Sequence, residues 1–142
     1  MKTKSRYILI ILLSLICLNC QSQEIKSIRI KFVNLDIDTP FSITCENFEN
    51  FFQEEIEDVL IEDKEIIIGF LRVLEGLEET KLSEKKDPDT RIKIEIAYED
   101  KTSSICIDRF DLYTSEGTSF SSRPMLRFLK EIVPLVSYYE ID

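Results

Sequence analysis

The chain contains no histidine and no tryptophan, and only three of its 142 residues are glycine. Without histidine the sequence cannot form a Ser-His-Asp triad, a Cys-His catalytic pair or a zinc site with histidine ligands. Three glycines are too few for a glycine-rich loop around a phosphate group. These absences argue against most hydrolase, zinc and nucleotide chemistry, and we expect no cofactor and no bound metal ion.

Cysteine is also scarce, with four in the chain. Only Cys45 and Cys106 lie beyond the N-terminal segment described below, and two lone cysteines do not make a zinc site. In an oxidising compartment they could form a disulfide, which would stabilise the fold by about 4 kcal/mol in the loop-entropy model. Two small buried thiols are the alternative that the sequence favours, because separation along the chain says nothing about the Cα distance.

Basic residues are outnumbered by acidic ones, 18 to 27, which gives a net charge of −9. Removal of Lys2, Lys4 and Arg6 with the N-terminal segment would lower the basic count from 18 to 15 and the net charge from −9 to −12. A surface this negative repels phosphate backbones, so we expect no nucleic-acid partner. It suits a basic protein partner, or it serves only to keep the protein in solution.

The N-terminal residues 1–23 follow the three-part pattern of a secretory signal. A basic start precedes an apolar run from Tyr7 to Leu18, and small polar residues follow it. The run is shorter than the roughly 20 residues needed to span a bilayer. We therefore predict a signal peptide over residues 1–23 and a single α+β domain over residues 24–142, exported to the periplasm or the cell envelope.

Cys20 lies just after this apolar run and is followed by Gln21, Ser22 and Gln23. This arrangement resembles a bacterial lipoprotein signal, although Cys17 and Asn19 stand where that family usually has leucine and a small residue. The resemblance implies that Cys20 becomes the lipidated first residue of the mature protein, which would then contact the membrane only through this anchor. Ordinary cleavage near residues 20–23 is the alternative.

Residues 90–113 are predicted to form the β-hairpin on which the fold is organised. Ile92, Ile94 and Ile96 alternate with polar residues, which is typical of a half-buried strand. A further strand is predicted within residues 24–37 from the same alternation. Between Ile105 and Ile107 the alternation fails, and we expect both faces of the sheet to be covered there. A bulge near Asp108 and Arg109 that shifts the side-chain phase is the alternative.

Three helices are predicted from apolar spacing and capping residues. The first, over residues 44–60, carries a stripe at helical spacing, and the second starts at Asp63, although a bend in one long helix is the alternative there. The third starts within Ser121-Ser122-Arg123-Pro124, with a serine cap and proline in its first turn. The stripe consists of Phe48, Phe51, Phe52, Ile56, Val59 and Leu60. The order β-α-α-β-β-(β)-α predicts an α+β fold, in which a mostly antiparallel sheet of three to four strands carries the helices on one face.

Asp108, Arg109 and Asp111 form the densest charged cluster on a predicted strand. An arginine between two carboxylates usually pairs with them at a sheet surface, so an interface role is favoured. The alternative is acid/base chemistry by the two carboxylates, which would require that burial hold them together.

Taken together, these features predict a non-enzymatic exported protein that binds a protein partner in the bacterial envelope. One concrete form is an immunity-type protein that masks a basic toxin or another basic envelope protein. The alternative is a carrier or chaperone for a small apolar or lipid ligand, held in a cavity under the phenylalanine-rich helix. A hydrolase that uses Asp108 and Asp111 is the third hypothesis.

Overall fold

A computed structural model describes residues 24–77, 89–108, 111–114 and 119–135 of the chain. Within these residues six strands form one antiparallel sheet in the spatial order β2-β1-β3-β4-β5-β6. The strands are β1 (Ser27–Phe32), β2 (Glu57–Ile61), β3 (Ile92–Ala97), β4 (Thr102–Ile107), β5 (Asp111–Thr114) and β6 (Ser119–Ser121), and the helices are α1 (Phe48–Phe52), α2 (Lys64–Glu75) and α3 (Arg123–Ile132). The predicted α+β class and antiparallel sheet are confirmed, and the sheet is larger than the three to four strands predicted.

Alternating isoleucines build the main core on one face of the sheet. Ile94 of β3 lies opposite Ile30 of β1 and Ile105 of β4, and the neighbouring pairs repeat this register. Helices α2 and α3 cover this side, which we call the helix face. Its buried residues include Ile28, Ile30, Phe32, Ile92, Ile94, Ile96, Ile105 and Ile107 from the sheet, and Ile67, Phe70, Met125, Leu126 and Leu129 from the helices. The central hairpin is therefore confirmed for β3 and β4, and so is the helix-covered face. The predicted hairpin over residues 90–113 extends too far, because residues 111–114 form a separate strand, β5, that pairs antiparallel with β4.

Both predicted starts of α2 and α3 are confirmed. Asp63 caps α2 by accepting hydrogen bonds from the backbone N–H groups of the first turn, at 2.8 and 3.1 Å. Ser122 occupies the N-cap position of α3, although its side chain makes no capping bond. A Cβ on Gly69 would stand 3.1 Å from the Phe128 ring, so glycine permits the close approach of the two helices. No helix within the described ranges is long and apolar enough for a membrane span.

The predicted helix over residues 44–60 is wrong in its second half. Helix α1 ends at Phe52, and the next residue, Gln53, has a φ of 43°, which a continuing helix does not tolerate. After a short 3-10 turn the chain extends into β2, where Ile61 is buried and Val59 packs on the helix-face core. The apolar spacing of Ile56, Val59 and Leu60 fits one helical face, but the sheet provides a partner strand that propensity cannot foresee.

The opposite face of the sheet is partly covered by residues 33–56, which we call the layer, although Leu35 within it is buried in the helix-face core. The layer has its own small core of buried apolar side chains, namely Val33, Ile43, Phe48 and Phe52. Under it, Cys106 is buried on this face while Ile105 and Ile107 are buried on the helix face. The predicted coverage of both faces at this point is confirmed.

Candidate interaction surface

A disulfide joins the layer to the sheet. Cys45 precedes α1, Cys106 lies in β4, and their Cα atoms are 5.8 Å apart, within the range that bridges require. The bond spans a sequence separation of 61. The prediction that the two thiols stay unbonded is therefore wrong. The strand pleat turns Cys106 away from the helices and towards the layer, where Cys45 lies within bonding distance.

A buried arginine makes the second connection between layer and sheet. The Arg91 side chain is 2% exposed and forms a bidentate pair with Asp89, with both N–O distances 2.8 Å. Its Nη2 also donates to the carbonyl oxygen of Ile37 at 3.1 Å and to Thr39 Oγ1 at 3.0 Å. The guanidinium carbon lies 5.6 Å from the centre of the Phe52 ring. Arg91 thus fixes the start of the layer against the sheet.

Glu49 of α1 makes the third connection, by bridging two lysines. Lys31 and Lys93 lie directly opposite each other on β1 and β3, where like charges repel. Glu49 accepts a hydrogen bond from Lys93 Nζ at 2.6 Å and from Lys31 Nζ at 2.8 Å. Glu95 accepts a further bond from Lys31 Nζ at 3.2 Å. The carboxylates therefore offset the repulsion and attach α1 to the sheet.

These contacts change the ionisation of the groups involved. Hydrogen bonds from Lys31 and Lys93 lower the pKa of Glu49 from 4.5 to about 2. Burial lowers the pKa of Lys31, but the hydrogen bonds to Glu49 and Glu95 outweigh it and raise the pKa above 10.5. Glu49 and Lys31 are therefore both ionised around neutral pH.

Replacing Glu49 with glutamine should destabilise the protein above about pH 5 and make little difference near pH 2. Since the pKa of Glu49 is lowered on folding, its ion pairs stabilise the fold above 4.5 and are lost as the pH falls towards about 2. The loss should be about 1 kcal/mol or less, because the Glu49 side chain is 43% exposed and its charge is screened. Urea unfolding at neutral and acidic pH measures this loss of unfolding free energy. Glu46→Gln, at an exposed position, is the control. An equal loss at both pH values would contradict this.

Two phenylalanines on the layer are exposed to solvent. Phe41 is 61% exposed and Phe51 is 40% exposed, and their rings meet edge to face with centroids 5.5 Å apart. Phe51 also contacts Phe52 edge to face at 4.9 Å, and Phe52 is only 4% exposed. A row of three rings therefore runs from the surface into the core of the layer.

The loop that carries Phe41 is held to the sheet on both sides. Before Phe41, the chain is bound by Arg91 as described above. After it, the Ile43 N–H donates to Asp89 Oδ1 at 2.9 Å, and the Ile43 carbonyl accepts from the Thr90 N–H at 2.8 Å. Asp89 therefore bonds to both the arginine and the loop, which limits the positions open to the exposed ring.

Acidic residues dominate the layer and the strand that follows it. Between Lys31 and Lys64 the sequence contains no lysine or arginine. It contains ten carboxylates there, namely Asp36, Asp38, Glu46, Glu49, Glu54, Glu55, Glu57, Asp58, Glu62 and Asp63. All but Asp36 and Glu49 are exposed. Two of the ten are paired with basic residues of the sheet, namely Asp58 with Arg29 and Glu49 with Lys31 and Lys93. The layer and β2, at the edge of the sheet, thus carry a run of carboxylates that no lysine or arginine interrupts along the chain.

The other residues proposed from the sequence are only partly described. Cys20 and Arg109 lie outside the described residues. Asp108 directly follows β4 and is half-buried, and Asp111 begins β5, where only the backbone is described. An interface or acid/base role for Asp108, Arg109 and Asp111 stays a prediction, as does lipidation of Cys20.

Neither a metal site within the described ranges nor a match to a known protein points to a function. Among the described residues, no group of three or more cysteine, aspartate and glutamate side chains is placed to hold a metal ion. Comparisons with protein-family models, curated proteins and solved structures find no match to this chain. The charge and shape of the layer surface are therefore the basis for inferring function.

Phe51 and the two cysteines of this surface stand out in the sequence, but Phe41 and Arg91 do not. Arg91 lies in the predicted hairpin, where it is one polar residue of the alternation, and Phe41 lies outside the apolar stripe of the predicted first helix. The hydrogen-bond partners of Arg91, Ile37 and Thr39, lie 54 and 52 positions before it along the chain. One signal could have located the surface: the long interval between Lys31 and Lys64 that has no basic residue.

Proposed function

We propose that this chain is an exported bacterial envelope protein that binds a basic protein partner through the layer and β2, without catalysis. The observation that carries the proposal is the run of exposed carboxylates between Lys31 and Lys64, which contains no basic residue. Such a surface attracts a positively charged partner and disfavours acidic ones. Its concrete form is an immunity-type protein that masks a basic toxin or envelope hydrolase.

Two features support the export part of the proposal. Residues 1–23 follow the pattern of a secretory signal. Disulfides such as that of Cys45 and Cys106 persist mainly in oxidising compartments outside the cytosol. In the lipoprotein form Cys20 carries the anchor, and the mass of the mature N-terminal peptide distinguishes lipidation from simple cleavage.

The carrier hypothesis has less support than protein binding. It needs a cavity lined by the phenylalanines of the first helix. Phe48 and Phe52 are instead buried in contact with Val33 and Ile43, where they fill the core of the layer. The hydrolase hypothesis depends on Asp108 and Asp111, and nothing in their described geometry favours it over an interface role.

Photo-crosslinking in the bacterium that produces the protein tests the proposal. The photoreactive residue p-benzoyl-phenylalanine is placed at Asn50, an exposed position of α1, and the crosslinked proteins are identified by mass spectrometry. We expect a partner with more lysine and arginine than aspartate and glutamate. The charge reversal Glu54→Lys with Glu55→Lys should lower the crosslink yield by about tenfold, because close charge pairs across an interface contribute more than 1 kcal/mol each.

The matched control is Glu99→Lys with Asp100→Lys, in the loop between β3 and β4. These two residues are also exposed, and the reversal changes the net charge by the same amount outside the acidic run. It should leave the crosslink yield nearly unchanged. Equal losses of crosslink yield in both variants would show that net charge, and not the acidic run, governs binding. Identification of an acidic partner would overturn the proposal.

A further inference from the structure

The exposed pair Phe41 and Phe51 lies within the acidic layer. Exposed aromatic rings are unfavourable in water, and clusters of them commonly mark binding surfaces. Phe41 is 61% exposed, so its burial contributes little to the core, and its described ring contact is with Phe51. The position of this ring therefore needs an explanation other than folding.

The rest of the layer restricts how these rings can move. Phe51 rests on the buried Phe52, whose own ring lies against the Arg91 guanidinium. The loop of Phe41 is bound by Arg91 on one side and by Asp89 and Thr90 on the other. A ring that is already held in place loses less conformational entropy on binding than a mobile one. This is the property expected of an interface anchor.

We propose that Phe41 and Phe51 are the apolar anchor of the interface that the proposed function assigns to the layer. The inference rests on that function. The partner presents an apolar side chain to the two rings and surrounds it with lysine or arginine, which face the carboxylates next to the rings in the chain, namely Asp38, Glu54 and Glu55. Protein interfaces commonly have an apolar centre that is surrounded by a polar or charged rim.

A second copy of this chain is a poor occupant of the same surface. Two layers facing each other would bring two runs of carboxylates together, and like charges across an interface cost several kcal/mol. A basic partner has the opposite charge and gains from the same arrangement. The charge of the layer therefore favours binding of a different, basic protein over self-association.

The test uses the full chain with the photoreactive residue at Asn50 and the double substitution Phe41→Ala with Phe51→Ala. We expect the crosslink yield to fall by about tenfold or more, since truncation of an anchor residue commonly costs above 1.4 kcal/mol. Ile68→Ala is the matched control, because Ile68 is also a large apolar residue, 48% exposed, but lies on α2. That variant should keep the parental yield. Urea unfolding confirms that each variant is folded, and Phe41→Ala alone is used if the double variant is not.

The outcomes separate the anchor from the proposed function. The anchor is overturned if the crosslink yield stays within twofold of the parental yield after both phenylalanines are replaced. If charge reversal at Glu54 and Glu55 still lowers the yield, binding driven by charge alone is left in place. No crosslink from the parental chain overturns both. A crosslink between two copies of this chain also contradicts the anchor as stated, because it makes the occupant acidic.

Discussion

Replacing Arg91 with alanine should lower the free energy of unfolding by about 3 kcal/mol, one of the two largest effects we expect. Breaking a buried ion pair costs about 3–5 kcal/mol, and the lower end applies because Asp89 is 41% exposed and can be hydrated. The substitution also leaves the Ile37 carbonyl and the Thr39 hydroxyl without this donor. Urea unfolding at neutral pH measures the loss.

Arg29 provides the matched control for Arg91. It lies on the same face of the sheet and pairs with Asp58 at 2.9 Å, but the two side chains are 45% and 40% exposed. Arg29→Ala should therefore cost at most about 1 kcal/mol. The loss of unfolding free energy for Arg91→Lys should lie between the losses for the two alanine variants, because an ammonium group cannot form the bidentate pair. Similar losses for Arg91→Ala and Arg29→Ala would show that burial of the guanidinium does not matter to the fold.

Removing the disulfide should cost about 4 kcal/mol, as expected for a bond that closes a separation of 61 residues. The variant Cys45→Ala with Cys106→Ala removes the bond while keeping small apolar side chains at both positions. Its urea midpoint should be well below that of the parent, and a dithiol reductant should lower the parental midpoint to nearly the same value. The reductant should not shift the midpoint of the variant.

Counting thiols in the denatured protein gives an independent check on the bond. Reduction should expose the thiols of Cys45 and Cys106 in addition to any that are free beforehand. Equal counts before and after reduction would exclude the bond, and the layer would then be held to the sheet by non-covalent contacts, among them those of Arg91, Glu49 and Ile43. The two stability experiments therefore measure separate connections of the same layer.

The parts of the fold with strong local patterns could be predicted from the sequence. The alternation of Ile92, Ile94 and Ile96 is a property of one strand, and it gave the central hairpin and its buried face. Asp63 and Ser122 are also local signals, since a helix start depends on a few neighbouring residues. These features need no knowledge of distant parts of the chain.

The layer could not be predicted, because its structure depends on contacts between distant residues. Helical spacing in residues 44–60 is real, but the break at Gln53 and the pairing of β2 with β1 decide the outcome. Similarly, the disulfide and the bonds of Arg91 require knowing which segment crosses the second face of the sheet. Local propensity contains no such information, so the surface that we connect with function was the least predictable part.

The most direct test of the account is to compare crosslinking from two exposed positions in living cells. With the photoreactive residue at Asn50 in the layer, we predict a crosslink to a basic envelope protein. With the same residue at Ile68 on α2, we predict none to that protein. Equal crosslinking from both positions, or an acidic partner at Asn50, would contradict the claim that the layer is the binding surface.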